Sequence, residues 1–315
     1  MPSNLKLEWP ANPFRLRHAC ARHAQALATA ALFLSSAIPL ARAASWTVRA
    51  QPPHLLNGAP VLFRVKTTAG LEALSGTWLE HQLAFSFDPS TKTWFALAGV
   101  SFETLPGKYA LKLSGTRKST DAPLSFTQNF AVTAAHYPKI RAQLAVESKF
   151  TQPSTEQLKQ IDDDQKTKQD YLNRVTSTRE WSGNFIAPAH AEISDVYGSQ
   201  RIFNGVAQRP HYGLDYRVPT GTPVTAMNEG TVLLARPLYF EGNCVVIDHG
   251  QGLLTLYLHL SEIKVQEGEV LKRGQEIGLS GGTGRATGPH LHVAVRWQGT
   301  YLDPGRLMQL SLPDS

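Results

Sequence analysis

Between about residues 45 and 132, apolar and polar positions alternate. Val61, Phe63 and Val65 share one parity, as do Leu83, Phe85 and Phe87, then Tyr109, Leu111 and Leu113, then Leu124, Phe126, Phe130 and Val132. A period of two puts one face of a strand against a core. Asn57-Gly58, Asp88-Pro89-Ser90 and Pro106-Gly107 interrupt these runs where turns belong. Short strands with frequent turns predict a β-sandwich, and the Pro106-Gly107-Lys108-Tyr109 approach to a strand gives it an immunoglobulin-like character. After Tyr137 the period changes. Leu158, Ile161, Tyr171, Leu172 and Val175 fall at helical spacing among charged residues, and Pro153-Ser154 offers an N-cap, so a helix is predicted to open near Thr155. Strand-like runs resume from Phe185 and close on Leu291 to Val295. The chain therefore reads as mainly β, divided into 1–43, a sandwich over 44–137, a helical linker over 138–180 and a second β domain over 181–311.

Composition changes this picture at the N-terminus. The net charge is +6, but Lys6, Arg15, Arg17, Arg22 and Arg42 against Glu8 place four of those charges in residues 1–43. The remainder is too weakly basic to imply nucleic acid as a partner. An Ala- and Leu-rich stretch from Ala24 to Leu40 leads to Ala41-Arg42-Ala43, the small-x-small pattern of a cleaved secretory signal. Ser35, Ser36 and Pro39 interrupt it, and it is short for a span, so no stable membrane span is expected after cleavage. Residues 1–43 thus predict export, to the periplasm or beyond the cell. Once Cys20 is removed with the signal, Cys244 is the one remaining cysteine, and no internal disulfide can form. Cys244 sits in the strand-like Asn243 to Ile247 and is expected to be a small buried side chain.

The chemistry concentrates in the last third. His290 and His292 lie two apart before apolar, β-branched residues, so on a strand both imidazoles project from one face. His211 and Asp215 add an imidazole and a carboxylate four residues apart, and His259 adds another imidazole in an apolar run. Such a set suits a metal site or a proton-transfer site. The sequence contains no HExxH helix motif. Ser280 to Gly284 lacks the Lys-Ser/Thr ending of a phosphate loop, and Lys264 and Lys272 lack the hairpin setting of a carrier lysine. His249 is expected in a turn, while His54, His81 and His136, lacking ligand spacing, are expected at the surface.

Arg209 to Asp215, Gly221-Thr222-Pro223-Val224, Gly230-Thr231-Val232, Ile247 to Gly250 and Gly288 to His292 follow one another in order and spacing. Together they resemble the lysostaphin/LytM-type zinc peptidases, family M23, over roughly Phe185 to Pro304. The resemblance implies a LytM-type antiparallel β-sheet catalytic domain. It implies Zn2+ held by His211, Asp215 and His292, and catalytic roles for His259 and His290. His290 is the candidate general base and His259 the stabiliser of a developing oxyanion or proton donor, and the two roles can be exchanged. Tyr212 and the loop Gly282, Thr283 and Gly284 are expected to wall a substrate cleft. The implied activity is metalloendopeptidase hydrolysis of peptidoglycan cross-links, with peptidoglycan peptides as the partner. The alternative is a non-catalytic LytM-type activator of cell-wall amidases, or a peptidoglycan-binding protein.

Overall fold

The alternating N-terminal residues fold into β1 (Trp46–Gln51), β2 (Leu55–Leu56), β3 (Pro60–Thr67), β4 (Ala73–Trp78), β5 (His81–Ala84), β6 (Ser86–Asp88), β7 (Thr93–Gly99), β8 (Gly107–Arg117) and β9 (Thr120–Thr133). The computed structural model describes residues 44–117, 120–138, 141–203 and 205–314. The export signal expected in residues 1–43 lies outside them. The strands form two sheets, ordered β1-β3-β7-β6 and β2-β9-β8-β4-β5. Phe63 of the first sheet meets Trp78 and Phe130 of the second, with ring centroids 5.1 and 5.2 Å apart, so the sheets face each other. Trp78 is fully buried, and its indole N–H donates to the Gly99 carbonyl at 3.0 Å, which removes the penalty for burying that donor.

Strand β7 departs from simple alternation, because every residue from Thr93 to Gly99 is buried. A strand covered on both faces reads as a continuous apolar run. One face of this sheet packs on the second sheet, and the other packs on the C-terminal half of the chain. Phe95 lies 6.0 Å from Trp181, and the Gly99 backbone abuts Leu302 and Trp297. One hydrophobic cluster runs through Phe63, Trp78 and Phe95 on into Trp181, Val293 and Trp297. His81, expected at the surface, is half-buried against Trp297 with centroids 4.8 Å apart.

Past the sandwich come β10 (Arg141–Leu144) and α1 (Thr155–Leu172). Ser154 caps the helix: its side chain accepts from the Gln157 N–H, and the Gln157 side chain accepts from the Ser154 N–H. This reciprocal pair satisfies two orphan donors and fixes where the helix starts. The apolar spacing of the helix is only partly used. Leu172 is buried, but Leu158 is 53% exposed. Polar ties hold the middle of the helix instead: Asp164 accepts from the Tyr239 N–H at 2.6 Å, and Lys168 pairs with Glu241 at 2.7 Å.

The C-terminal strands are β11 (Ile193–Asp195), β12 (Gln200–Phe203), β13 (Val206–Ala207), β14 (Leu214–Tyr216), β15 (Pro223–Thr225), β16 (Gly230–Leu238), β17 (Gly242–Asp248), β18 (Leu253–Leu260), β19 (Glu262–Ile263), β20 (Val270–Leu271), β21 (Glu276–Leu279), β22 (Leu291–Trp297) and β23 (Thr300–Leu302), with a short α2 (Pro304–Met308). The large sheet has the order β11-β14-β22-β18-β17-β16-β20, with β23 also on β22. Its neighbouring strands pair antiparallel. One parity, Val245, Ile247, Tyr257, Val293 and Val295, enters the main core. The other, Leu234, Cys244, Val246, Leu254, Leu256 and Ala294, packs with Leu172 of α1. Cys244 is buried as expected, and burial pushes its thiol up to about 12. Helix α1 therefore lies on the face of the sheet from which His292 projects.

Candidate metal centre

Three strands bring the candidate ligands into one row. Asp215 of β14 stands directly opposite His292 of β22, and His292 stands opposite Leu258 of β18. Directly opposed residues project from the same face, so Asp215 and His292 meet without special backbone geometry. His211 precedes β14 in a loop pinned by backbone hydrogen bonds. Its N–H donates to the Ser199 carbonyl at 2.8 Å, and its carbonyl accepts from Gly198 at 2.7 Å.

The glycine between His211 and Asp215 has a physical cause. A Cβ on Gly213 would stand 2.5 Å from the Val293 carbonyl oxygen and 2.6–2.7 Å from the His292 ring. Only a residue without a side chain lets that ring lie against the loop.

His259 comes to the site by a different route. Alternation along β18 would send it to the core face with Tyr257. The β17–β18 register shifts between Asn243 and Val245, and His259 adopts φ +63. That left-handed conformation, which costs a non-glycine residue about 1–3 kcal/mol, turns the ring back to the cleft. There it lies 4.8 Å from the His290 ring and 6.0 Å from the His292 ring, centroid to centroid. A β-bulge re-aims one side chain in this way beside many functional sites.

The donor atoms form a nearly equilateral triangle. His211 Nε2 is 3.0 Å from His292 Nδ1, His292 Nδ1 is 2.8 Å from Asp215 Oδ1, and His211 Nε2 is 3.1 Å from Asp215 Oδ1. A tetrahedral ion with bonds of 2.0–2.1 Å has donor–donor edges of about 3.3–3.4 Å. The triangle needs to expand by only a few tenths of an ångström to serve as one face of such a tetrahedron. The protonation states fit as well. His211 Nδ1 lies 3.1 Å from the Val196 carbonyl and must donate to it, leaving Nε2 with its lone pair. Burial pushes His292 down to about 4, against the opposing pull of Asp215, so the imidazole is neutral at pH 7. Burial acts to raise the Asp215 pKa, but the hydrogen bonds with His211 and His292 prevail and hold it well below the carboxylate range. Two neutral imidazoles and one carboxylate are a donor set for a divalent ion of the zinc type.

His259 and His290 stand beside the triangle, each with one nitrogen committed. His259 Nδ1 donates to the Thr283 carbonyl at 2.9 Å, and His290 Nδ1 to the Gly288 carbonyl at 2.8 Å. In the neutral ring this leaves each Nε2 with a lone pair, and the Nε2 of His290 is 3.9 Å from Asp215 Oδ2. Burial, then the neighbouring His290 and His292, push His259 down to about 3.

The sequence assigned no role to Arg201 or Asp195, yet both belong to this centre. The Arg201 guanidinium reaches Asp195 Oδ2 at 2.7 Å and also contacts Asp215 Oδ2. Asp195 in turn accepts from Ser199 Oγ at 2.6 Å and the Val196 N–H at 2.9 Å. Asp215 is therefore divided, with Oδ1 toward the imidazoles and Oδ2 toward a cation.

Of the expected cleft residues, Tyr212 lines the cavity beside the site, and Gly282, Thr283 and Gly284 do not. Thr283 instead supports His259 from behind. Its hydroxyl bridges the Asn243 N–H at 2.9 Å and the Leu260 carbonyl at 2.7 Å. Gly284 has φ +70, and a Cβ there would stand 2.2 Å from the Gly242 nitrogen. The glycine-rich loop packs on the β17 entry and fixes the neighbouring histidine.

Comparison with known proteins agrees with this geometry. Residues 209–304 match peptidase family M23. Peptidoglycan DD-endopeptidase ShyA of Vibrio cholerae is 47% identical over 123 residues, covering 38% of this chain and 28% of that protein. DD-carboxypeptidase/endopeptidase Mpg of Neisseria meningitidis is 45% identical over 96 residues, covering 30% of this chain and 22% of that protein. The chain thus spans under a third of the length of these curated relatives. A Pseudomonas aeruginosa protein solved as a peptidase M23 superposes with a TM-score of 0.61 at 25% identity, covering 80% of this chain and 94% of that one. The superposition extends well beyond the matched residues into the N-terminal strands. The motifs and the donor triangle fall within residues 209–304, the part of this chain that matches peptidase family M23.

Proposed function

We propose that this chain is an exported zinc metalloendopeptidase that hydrolyses peptide cross-links of peptidoglycan, and that the bond is a D-alanyl one. The observation that carries the reading is the triangle of His211 Nε2, Asp215 Oδ1 and His292 Nδ1, with the lone pairs of His259 and His290 beside it. His211, Asp215 and His292 would hold the ion, which when bound supplies Lewis-acid activation of water and of the scissile carbonyl. His259 and His290 are fixed through their Nδ1 donors, so each presents Nε2 to accept, hold and return a proton. Which of the two removes the proton from water and which serves the oxyanion or leaving amine is exchangeable. The division into 44–137, 138–180 and 181–311 belongs to this proposal, as does export directed by residues 1–43. No helix among the described residues is long and apolar enough to cross a membrane. The names of ShyA and Mpg support a D-alanyl bond.

The test uses residues 44–315 with zinc on purified cross-linked muropeptide dimers, read by mass analysis. Dimers should resolve to monomers. Chelation, His211→Ala or Asp215→Ala should each abolish the conversion. Dimers that persist with one zinc bound per chain would overturn the hydrolase reading, and a chain that binds no zinc and loses no function in His211→Ala would favour the amidase-activator alternative.

A further inference from the structure

A cavity of about 910 Å3 opens beside His211, His259 and His292 and continues under α1. Among the described residues its charged lining is unbalanced, with Lys168, Arg201, Arg209, Arg285 and Arg296 against Glu103 and Glu241. Both carboxylates are already engaged. Glu241 pairs with Lys168 at 2.7 Å, and Glu103 accepts from the Tyr212 hydroxyl at 2.7 Å. Arg201 serves Asp195 and Asp215. Five cations set against Glu103, Glu241 and the two carboxylates behind Arg201 leave the wall that a substrate meets net positive, before any metal charge is added.

Arg285 is held in place at this wall. It sits five residues before His290, on the loop that delivers that histidine. Its guanidinium lies over the Phe240 ring at 4.7 Å, its Nη1 is 3.4 Å from Gln208 Oε1, and the residue is half-buried. Arg209 lies two residues before His211 and is exposed. A planar guanidinium already stacked on an aromatic ring gives up little freedom on meeting a carboxylate, and it can bind both oxygens.

The chemistry of the proposed substrate supplies such a carboxylate. In a D-alanyl-D-alanine terminus, and in a cross-link from D-alanine to a diaminopimelate, the scissile nitrogen is attached to a carbon that also bears a carboxyl group. In a cross-link to the side chain of lysine that carbon is a plain methylene. We propose that Arg285, assisted by Arg209, forms a carboxylate subsite that reads the acid group on the nitrogen side of the scissile bond. This rests on the hydrolase reading above and adds the feature by which the enzyme selects its peptide.

The test compares two synthetic dimers that differ at one group. One carries the carboxylate beside the scissile nitrogen, and in the other that group is the neutral amide. Zinc-loaded residues 44–315, wild type, Arg285→Gln and Arg285→Lys, are assayed for kcat and KM, and both dimers are titrated by calorimetry. Wild type should prefer the acid roughly 10- to 100-fold, the range for a hydrogen bond to a charged group, with most of the difference in KM. Arg285→Gln should bring the ratio near one, and Arg285→Lys should retain part of it. Equal use of both dimers by wild type, or an equal fall for both in Arg285→Gln, would overturn the subsite while leaving the hydrolase intact. If neither dimer is cleaved, the hydrolase reading fails, and the affinity ratio from calorimetry still decides the subsite.

Discussion

Replacing Gly213 with alanine is expected to disable the metal centre while leaving the fold largely in place. The new Cβ would lie 2.5 Å from the Val293 carbonyl oxygen, 2.6 Å from His292 Cε1 and 2.7 Å from His292 Nε2. Ordinary contact begins near 3.4 Å, so ring and loop must part by most of an ångström. The Val293 carbonyl belongs to the β22 ladder and resists that movement, so the loop carrying His211 and the His292 ring take most of it. The donor edges are now 2.8–3.1 Å, and ligand distances must hold to within about 0.2 Å for tight binding. A misplacement of about 1 Å at a catalytic constellation costs on the order of 100-fold in rate. Zinc affinity, measured by competition with a chromophoric chelator, and kcat/KM should both fall on that scale. Gly288→Ala is the matched control. It lies in the neighbouring segment that leads to His290 and His292, but its added Cβ would meet nothing within 4 Å, so both quantities should stay within about twofold, the scale of an unstrained surface change. Zinc binding and turnover by Gly213→Ala within threefold of wild type would refute the reasoning.

Other consequences can be checked in parallel. Burial pushes His249 down to about 4 from 6.5. The unfolded chain takes up a proton near pH 6.5 that the folded chain refuses until about pH 4. The contribution of this group is therefore complete above 6.5 and declines by about 3 kcal/mol as pH falls to 4. Denaturant titrations of the zinc-loaded protein should show a shallower acid limb in His249→Gln, and identical limbs would contradict the assignment. At the seam between the two halves, a Cβ on Gly99 would sit 2.7 Å from Leu302 and 3.0 Å from Trp297. Gly99→Val should destabilise by about 1–3 kcal/mol through overpacking, seen as a lower melting temperature of the single transition expected of a shared core. Ser154→Ala removes the capping box of α1 and should cost about 1 kcal/mol. Faster amide hydrogen exchange confined to residues 155–160 would report it, and unchanged exchange there would count against the cap.

The sequence made some of this legible, and the physical reason differs from residue to residue. Asp215, His292 and His211 were legible as a set only through the resemblance of their motifs to family M23, because the β14–β22 pairing that joins Asp215 to His292 is long-range and strand parity alone does not announce it. His259 had the right chemistry, but its placement relies on φ +63, and nothing in a leucine-rich run announces a bulge at a non-glycine residue. Arg201 escaped notice because its contact with Asp215 crosses separate sheets and a lone arginine carries no period, and Asp195 because the strand that sets it opposite Asp215 is only three residues long. Ser154 announced the start of α1, whereas the exposure of Leu158 could not be foreseen, since it depends on where the helix leaves the sheet. The alternation of β3 and its neighbours predicted one buried face. The fully buried β7 shows that the second face is covered too, which is why the boundary near residue 137 does not separate two independent cores.

The most direct test is anomalous diffraction at the zinc edge from crystals of the zinc-loaded chain. The account predicts one strong peak bonded to His211 Nε2, Asp215 Oδ1 and His292 Nδ1, with a fourth position open toward His259 and His290. A peak that lacks any of those three bonds, or none at this triangle with zinc bound elsewhere, would contradict it.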